Sequence, residues 1–490
     1  MKKFITLSLL VSLLLGTAAC GDSQTPGGET TAPSDNTTAA ETSKPLSLAE
    51  QRRSVPDDLP EKTFGGEEFT IIIDSYAQTG FMSEELTGDV LSDAVFNRNK
   101  AVEERFDVRL NYVVDEWGNV TTLLRNTVTA GDDEYQLADH HALASNDWVL
   151  ADILVNWYDV PYVNFDKPWW SDTNQNDLTY NGVNFLAVGD YSLTTIGRTY
   201  AIYYDKVKAK DYQMPDLYAL VKEGKWTIDK LTELTRDIYT DLNNNNQRDF
   251  EDFYGYSLAK SSNVGAFLFS FGCKIIDNGE IVLDVGKTAD IIQKLITVTQ
   301  VNPGTFYDVN YKNSAGNIHY AGAEKMAQGT TVFASAMIES GIVYLRDAND
   351  YGILPYPKWD EEQDDYITII DGGFTMMSIP KTVQDLERSG IIAEALCAET
   401  YKNVVPDYYD IAIKTKGTRD DESIEMIDFI MSKRVCDFGY VYDHWKGFGF
   451  CIEKRVEEAD PNFASYYAAN INSVTEEYQK VFDAFQNYGK

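Results

Sequence analysis

The chain has 490 residues, 43% hydrophobic and 24% charged, with 77 Asp and Glu against 42 Lys and Arg and a net charge of −35. Phosphate binding needs a basic footprint, so this balance argues against a nucleic-acid partner, and the acidity describes a solvated, soluble surface. The 31 Tyr, 23 Phe and 8 Trp exceed what a core conveniently hides. Amphipathic rings suit a cleft that is apolar on one side and wet on the other.

The first residues read as an address. Lys2 and Lys3 precede an apolar run from Phe4 to Leu15, and Gly16-Thr17-Ala18-Ala19-Cys20 follows. That run is shorter than the ~20 residues a spanning helix needs. A charged start, a short apolar stretch and small residues before a cut describe a secretory signal over residues 1–19. Cys20 after Ala18-Ala19 resembles the bacterial lipobox, with Thr17 where Leu is usual. The resemblance implies a lipidated (palmitate-bearing) N-terminus on the outer face of the cell membrane. A plain cleavage near Ala19 is the alternative. Residues 20–62, rich in Thr, Ser, Pro, Gly and acids, bury too little apolar surface to repay ordering and predict a disordered tether. The ~425 residues beyond exceed what one core usually serves, which predicts two lobes.

In chain order, Phe69-Thr-Ile-Ile-Ile-Asp74 predicts a buried parallel strand. Leu91, Ala94, Val95, Val102 and Phe106 share one helical face, interrupted by Arg98, which must snorkel outward or find a partner. Val108–Val114 alternates as a second strand, so strand, helix and strand imply a parallel sheet with covering helices. Phe185–Gly189 and Tyr200–Tyr204 predict strands flanking a polar segment, Asp190 to Arg198. Helices are expected over Trp226–Tyr239 and Thr288–Thr299, and an extended segment over Tyr351–Tyr356. Ser473 and Glu476 form a capping box that would start the last helix.

Oxygen-bearing side chains at Asp241, Asn243, Asn245, Asp249 and Asp252, with the carbonyl of Gln247, match a calcium loop. Asn246 stands for the usual Gly and Asp252 for the bidentate Glu. A structural Ca2+ and a metal-free Asn/Asp turn are the two readings. Gly286-Lys287-Thr288 mimics the end of a phosphate loop but lacks the first Gly. There is no GxSxG or HExxH, and no catalytic cofactor is indicated. Four cysteines besides Cys20 allow three connectivities; a Cys436–Cys451 bridge and buried free thiols both remain open.

The order of Ala94–Phe106, Asp166-Lys-Pro-Trp-Trp170, Tyr204-Asp-Lys206, Gly224–Lys230, Tyr351–Lys358 and Gly372–Lys381 resembles extracellular solute-binding proteins of carbohydrate-importing ABC systems. The resemblance implies an α/β, two-lobed periplasmic-binding-protein-like fold of type II, with a ligand cleft between lobes joined by crossover hinge segments. Lobe 1 would span residues 63–190 plus about 360–420, and lobe 2 residues 191–359 plus about 421–490. It implies a monomeric, non-enzymatic receptor whose partners are a small molecule, expected to be an oligosaccharide, and the transmembrane subunits of an ABC permease. A surface sensor or adhesin, and a secreted carbohydrate-active enzyme, are the alternatives.

Ligands of open α/β sheets bind beyond the carboxyl ends of strands. Rings stack on the apolar faces of a sugar, while acids, amides and arginines take its hydroxyls. On that basis the candidate ligand-binding residues are Asp74, Tyr76, His141, Asn146, Asp190, Tyr191, Glu339 and Asp371, with Trp169, Trp170 and Trp445 as exposed stackers. For the acids, capping of the next helix is the rival role.

Overall fold

In the computed structural model, which describes residues 46–348, 350–413 and 421–490, the apolar run at Phe69–Ile73 is the buried interior of the first strand. The signal, Cys20 and the tether as far as residue 45 lie outside the described residues. In chain order the strands are β1 Glu67–Asp74, β2 Val108–Asp115, β3 Leu137–His141, β4 Tyr200–Asp205, β5 Tyr239–Thr240, β6 Phe253–Ser257, β7 Ile276–Asp277, β8 Glu280–Ile281, β9 Thr305–Phe306, β10 Thr331–Met337, β11 Tyr351–Leu354, β12 Thr368–Ile369, β13 Thr375–Ser378 and β14 Arg434–Val435.

Two mixed sheets organise the chain. The first runs β13-β3-β1-β2, with β1 parallel to both β2 and β3 and β13 antiparallel to β3. The second runs β11-β4-β10-β6-β5, with β9 beside β6; β10 is parallel to β6 and antiparallel to β4. Each sheet therefore presents, along a single edge, the carboxyl ends of its parallel strands and the amino ends of its antiparallel ones, β13 in the first and β4 and β5 in the second. Strands β12 and β14 form a small parallel ladder between segments far apart in the chain.

The helix Val90–Phe106 covers the first sheet, capped by the Asp89 side chain and ended by Asp107 at φ 48°. Arg98 finds partners rather than solvent. Its guanidinium donates to the carbonyls of Gly80 and Phe81 at 3.0 and 2.6 Å and lies 4.8 Å from the Tyr191 ring centroid. The expected strand at Phe185–Gly189 is instead an irregular segment held by single bridges, Ala187 to Met377 and Gly189 to Trp170. The helix expected over Trp226–Tyr239 is shorter, Ile228–Thr235, because Thr227 caps it. The one expected over Thr288–Thr299 runs Val285–Ile296, with Gly286-Lys287-Thr288 in its first turn, and continues as a π-turn over Thr297–Val301.

Two expectations at the ends of the chain are corrected. From Leu46 onward the supposed tether is docked. Ser47 and Glu50 form a capping box on a helix Leu48–Arg53, Leu59 is buried, and Asp57 takes both Nη atoms of Arg105 at 2.8 and 3.0 Å. Average composition concealed these few anchoring residues. The last helix runs unbroken over Phe463–Asn487 from an Asn462 cap. Ser473 lies inside it, where its hydroxyl bonds back to the Asn470 carbonyl at 2.9 Å instead of opening a new helix. Cys273, Cys397, Cys436 and Cys451 are free and buried, so no Cys436–Cys451 bridge forms.

Candidate functional site

The facing strand ends carry the exposed aromatic rings. Tyr76 follows β1, Trp117 follows β2 and His141 ends β3. Trp445 joins them from the loop before the helix Cys451–Glu457. Trp117 and Trp445 lie 5.8 and 6.1 Å from the His141 ring and 6.5 Å from each other. Tyr76 is 6.4 Å from His141. Large rings this exposed (40% for Tyr76, 47% for Trp117, 52% for Trp445) are costly to leave wet in one patch, which marks a binding surface.

The Trp445 loop is built to hold that ring. His444 and Trp445 both adopt left-handed backbone, φ 50° and 57°, an unusual state for bulky residues. The buried Asp443 carboxylate accepts the Gly449 N–H at 2.6 Å and organises the turn. A β-carbon at Gly447 would collide with the Tyr478 hydroxyl, so the close approach of the last helix requires glycine there.

Opposite the rings is a polar group from the second sheet and the crossover. Arg198 precedes β4, Glu339 follows β10, and Asp371 lies between β12 and β13. Arg198 Nε is 3.7 Å from Glu339 and Nη1 is 3.8 Å from Asp371, while the guanidinium carbon lies 5.5 Å from the Tyr76 ring centroid. Glu339 accepts the Tyr320 hydroxyl at 2.8 Å; Asp371 accepts the Tyr200 hydroxyl at 2.7 Å and the Gly373 N–H at 2.9 Å. Burial opposes the Arg198 charge, but Glu339 and Asp371 outweigh it and hold its pKa above the ordinary value. Burial likewise opposes the Asp371 charge, and Arg198, Tyr200 and the Gly373 N–H hold its carboxyl below the usual range. Burial, then His140, pushes His141 down to about 4. Arg198 Nε and His141 Nδ1 are buried without a hydrogen-bond partner among the described residues. Such groups are costly unless a ligand serves them.

Tyr76, His141, Glu339, Asp371 and Trp445 are thus brought together. Asp74 sits behind the wall, fully buried, with Oδ1 2.7 Å from His140 Nδ1 and Oδ2 accepting the His141 N–H at 2.8 Å. The remaining candidates lie elsewhere. Asn146 is buried and donates to the Tyr442 carbonyl at 3.3 Å. Trp169 and Trp170 are not exposed stackers; both indoles are buried on Glu394. Tyr191 is buried edge-on to Phe81, and its hydroxyl donates to Tyr112 at 3.1 Å. Asp190 lines a separate cavity of about 230 Å3 with Arg52, Tyr401, Tyr409, Asp428 and Arg434, and burial raises its pKa to about 6. Sequence reasoning passed over Trp117, although its place just after β2 was a usable signal, and gave Arg198 no role.

Solved structures share this architecture at low identity. The cyclic α-maltosyl-1,6-maltose binding protein of Arthrobacter globiformis has a TM-score of 0.54 and 12% identity, over 86% of this chain and 100% of that one. An ABC-transporter solute-binding protein of Agrobacterium radiobacter K84, in complex with ribitol, gives 0.53 and 12% over 86% and 100%. One from Thermotoga lettingae TMO, bound with α-D-tagatose, gives 0.51 and 15% over 85% and 100%. No family model and no curated protein matches the sequence. The chain has the two-lobed α/β fold of ABC-transporter solute-binding proteins.

Within this solute-binding-protein fold the Asn/Asp loop does not present a calcium cage. Asp252 is fully buried, and its carboxylate is taken by the Leu242 and Asp249 N–H groups and the Tyr239 hydroxyl at 3.1, 3.2 and 2.9 Å. The Asn243 and Asn245 amides donate to Asp249 at 3.2 and 2.6 Å, Asp241 accepts the Asn246 N–H at 2.9 Å, and the Gln247 carbonyl faces the Tyr239 hydroxyl at 3.5 Å. Positive charge is supplied by Lys325, whose Nζ donates to the carbonyls of Phe250 and Asp252 at 2.8 and 2.6 Å. Among the described residues no three of His, Cys, Asp or Glu converge as metal ligands. Nor is any described helix long and apolar enough to cross a membrane. A further cavity of about 110 Å3 holds Asp177 and Asp437, but the backbone N–H groups of Cys436, Ile275 and Tyr440 occupy these carboxylates.

Proposed function

We propose that this chain is the extracytoplasmic receptor of an ABC importer, binding a carbohydrate, most naturally an oligosaccharide, and delivering it to a membrane permease without turnover. The observation that carries the reading is the cluster of exposed Tyr76, Trp117 and Trp445 rings around His141, facing Arg198, Glu339 and Asp371 across the ends of two sheets. Rings cover the C–H faces of a pyranose, and the charged groups take its hydroxyls as charge-assisted hydrogen bonds. The sugar and polyol complexes of proteins with this fold support the ligand class.

In this reading residues 63–190 plus about 360–420 move as lobe 1, and 191–359 plus about 421–490 as lobe 2. The pairing of β13 with β3 and the packing of the helix Asp421–Ser432 on β11 support that division. Ligand touching both walls favours the closed arrangement and shifts the population toward it, and the permease reads that form. The lipobox-like Cys20 supports a lipid anchor that keeps the receptor at the outer membrane face.

A thermal-shift screen of the mature protein against neutral mono- and oligosaccharides, followed by calorimetry on the hits, tests the reading. A ligand of the native state raises apparent stability, and Arg198→Ala should abolish that rise. A panel in which no sugar shifts the transition refutes the assignment.

A further inference from the structure

The polar end of the cleft holds one guanidinium against two carboxylates. Arg198 is flanked by Glu339 at 3.7 Å and Asp371 at 3.8 Å. Neither acid is free to swing away, because Tyr320 holds the first and Tyr200 with the Gly373 N–H holds the second. Arg198 packs closely on Gly373, where an added β-carbon would stand 2.8 Å from its Nη1. The two imidazoles nearby do not restore the balance, because burial lowers the pKa of both His141 and His319, and Lys260 is held at the Val309 carbonyl.

We infer, resting on the receptor reading above, that this cleft selects uncharged sugars and rejects uronic acids, with Glu339 and Asp371 as the specificity-determining residues. A neutral sugar supplies what the site lacks: a hydroxyl oxygen accepts from Arg198 Nε, which has no hydrogen-bond partner among the described residues, and hydroxyl hydrogens go to the remaining lone pairs of the two carboxylates. A ligand carboxylate would instead be a third anion beside a single, already shared guanidinium. Like charges juxtaposed in a desolvated interface repel strongly. Rejection built this way is specificity by repulsion rather than by tighter binding of the preferred ligand.

The test takes a neutral sugar that binds in the screen and compares its Kd with that of its C6-oxidised uronate. Wild type, Glu339→Gln and Asp371→Asn are measured at roughly 50 and 500 mM NaCl, with melting curves confirming that each variant folds. The expected result is a uronate bound about 100-fold more weakly by the wild type. The gap should persist at high salt, because partly buried pairs are screened little, and narrow about tenfold in either variant. A uronate bound as tightly as the neutral sugar overturns the inference while leaving the receptor reading intact. A gap that disappears at high salt also overturns it, assigning the rejection to the acidic exterior. If no sugar of either kind binds, the receptor reading fails and takes this inference with it.

Discussion

Trp170 donates its indole N–H to Glu394 at 2.7 Å, and its neighbour Trp169 donates to the other oxygen of the same carboxylate at 2.8 Å. One buried acid thus orients two large buried side chains, and the Asn164 N–H adds a third donor at 3.2 Å. Burial raises the Glu394 carboxyl to about 7, against the pull of these donors. The Trp-Trp pair therefore reads as a core pillar, not a sugar platform. Glu394→Ala should cost about 3 kcal/mol by stranding two indole donors, with Glu394→Gln milder because it keeps one acceptor. Urea denaturation gives the loss, and calorimetry should show sugar affinity unchanged in both variants.

The opposite pattern is expected at the exposed rings. Trp117→Ala and Trp445→Ala remove surface that is wet in the free protein, so melting should move little. Sugar binding should weaken by about 1–2 kcal/mol each, roughly tenfold or somewhat more. Asp443→Ala differs in kind: it releases the turn that presents Trp445, so both the melting temperature and the affinity should fall. Equal affinity in Trp445→Ala and wild type would remove this residue from the site.

Much of this layout was legible in the residue pattern. The fivefold run Phe69–Ile73, the 3.6-residue spacing through Phe106 and the alternation from Val108 delivered β1, its covering helix and β2, because burial on two faces and on one stripe leaves different periods. Tyr76, His141, Glu339 and Asp371 converge because strand ends in such sheets share an edge. Trp169, Trp170 and Tyr191 could not be placed that way. Whether a ring is buried depends on partners remote in sequence, and Glu394 lies 225 residues from Trp169. The Asn/Asp loop misled for a related reason: its oxygens have calcium spacing, but the spacing says nothing of Lys325, which comes from another helix.

Burial also fixes the pH dependence of stability. Desolvation raises Asp177, Asp190 and Asp443 to about 6, Glu394 and Asp437 to about 7, and Glu453 to about 8, and holds Asp139 well above its ordinary value. In the unfolded chain these groups titrate near about 4. Between about 4 and 8 the native state therefore binds more protons than the unfolded state, and stability falls as pH rises through that window. His141 and His319, lowered by burial, act oppositely below about 6.5, and Lys325, lowered to about 7, acts oppositely above that value, but the raised carboxyls outnumber them. Asp371, held low chiefly by Arg198 against the effect of burial, loses its contribution below about 4. Urea midpoints should rise from roughly pH 8 to pH 5 and fall again toward pH 3. Glu453→Gln should flatten the alkaline side; a midpoint that climbs steadily from pH 5 to 8 would contradict this account.

Lys325 is fully buried, and its ammonium lies within 5.1 Å of the ring centroids of Phe250, Tyr254 and Phe306 while bonding the carbonyls of Phe250 and Asp252. Its charge is felt by Asp252 and Asp249 of the Asp241–Asp252 loop, so a further positive charge beside them would be repelled. Burial pushes its pKa down to about 7, against the attraction of Asp252 and Asp249. Lys325→Met keeps the volume and removes the donor, leaving the carbonyls of Phe250 and Asp252 unserved at a cost of about 2–3 kcal/mol. Calcium or a chelator should leave the wild-type melting temperature unchanged. If calcium stabilises only Lys325→Met, the loop has latent ligands that the ammonium blocks; if it stabilises the wild type, the ammonium is not the element that closes this loop.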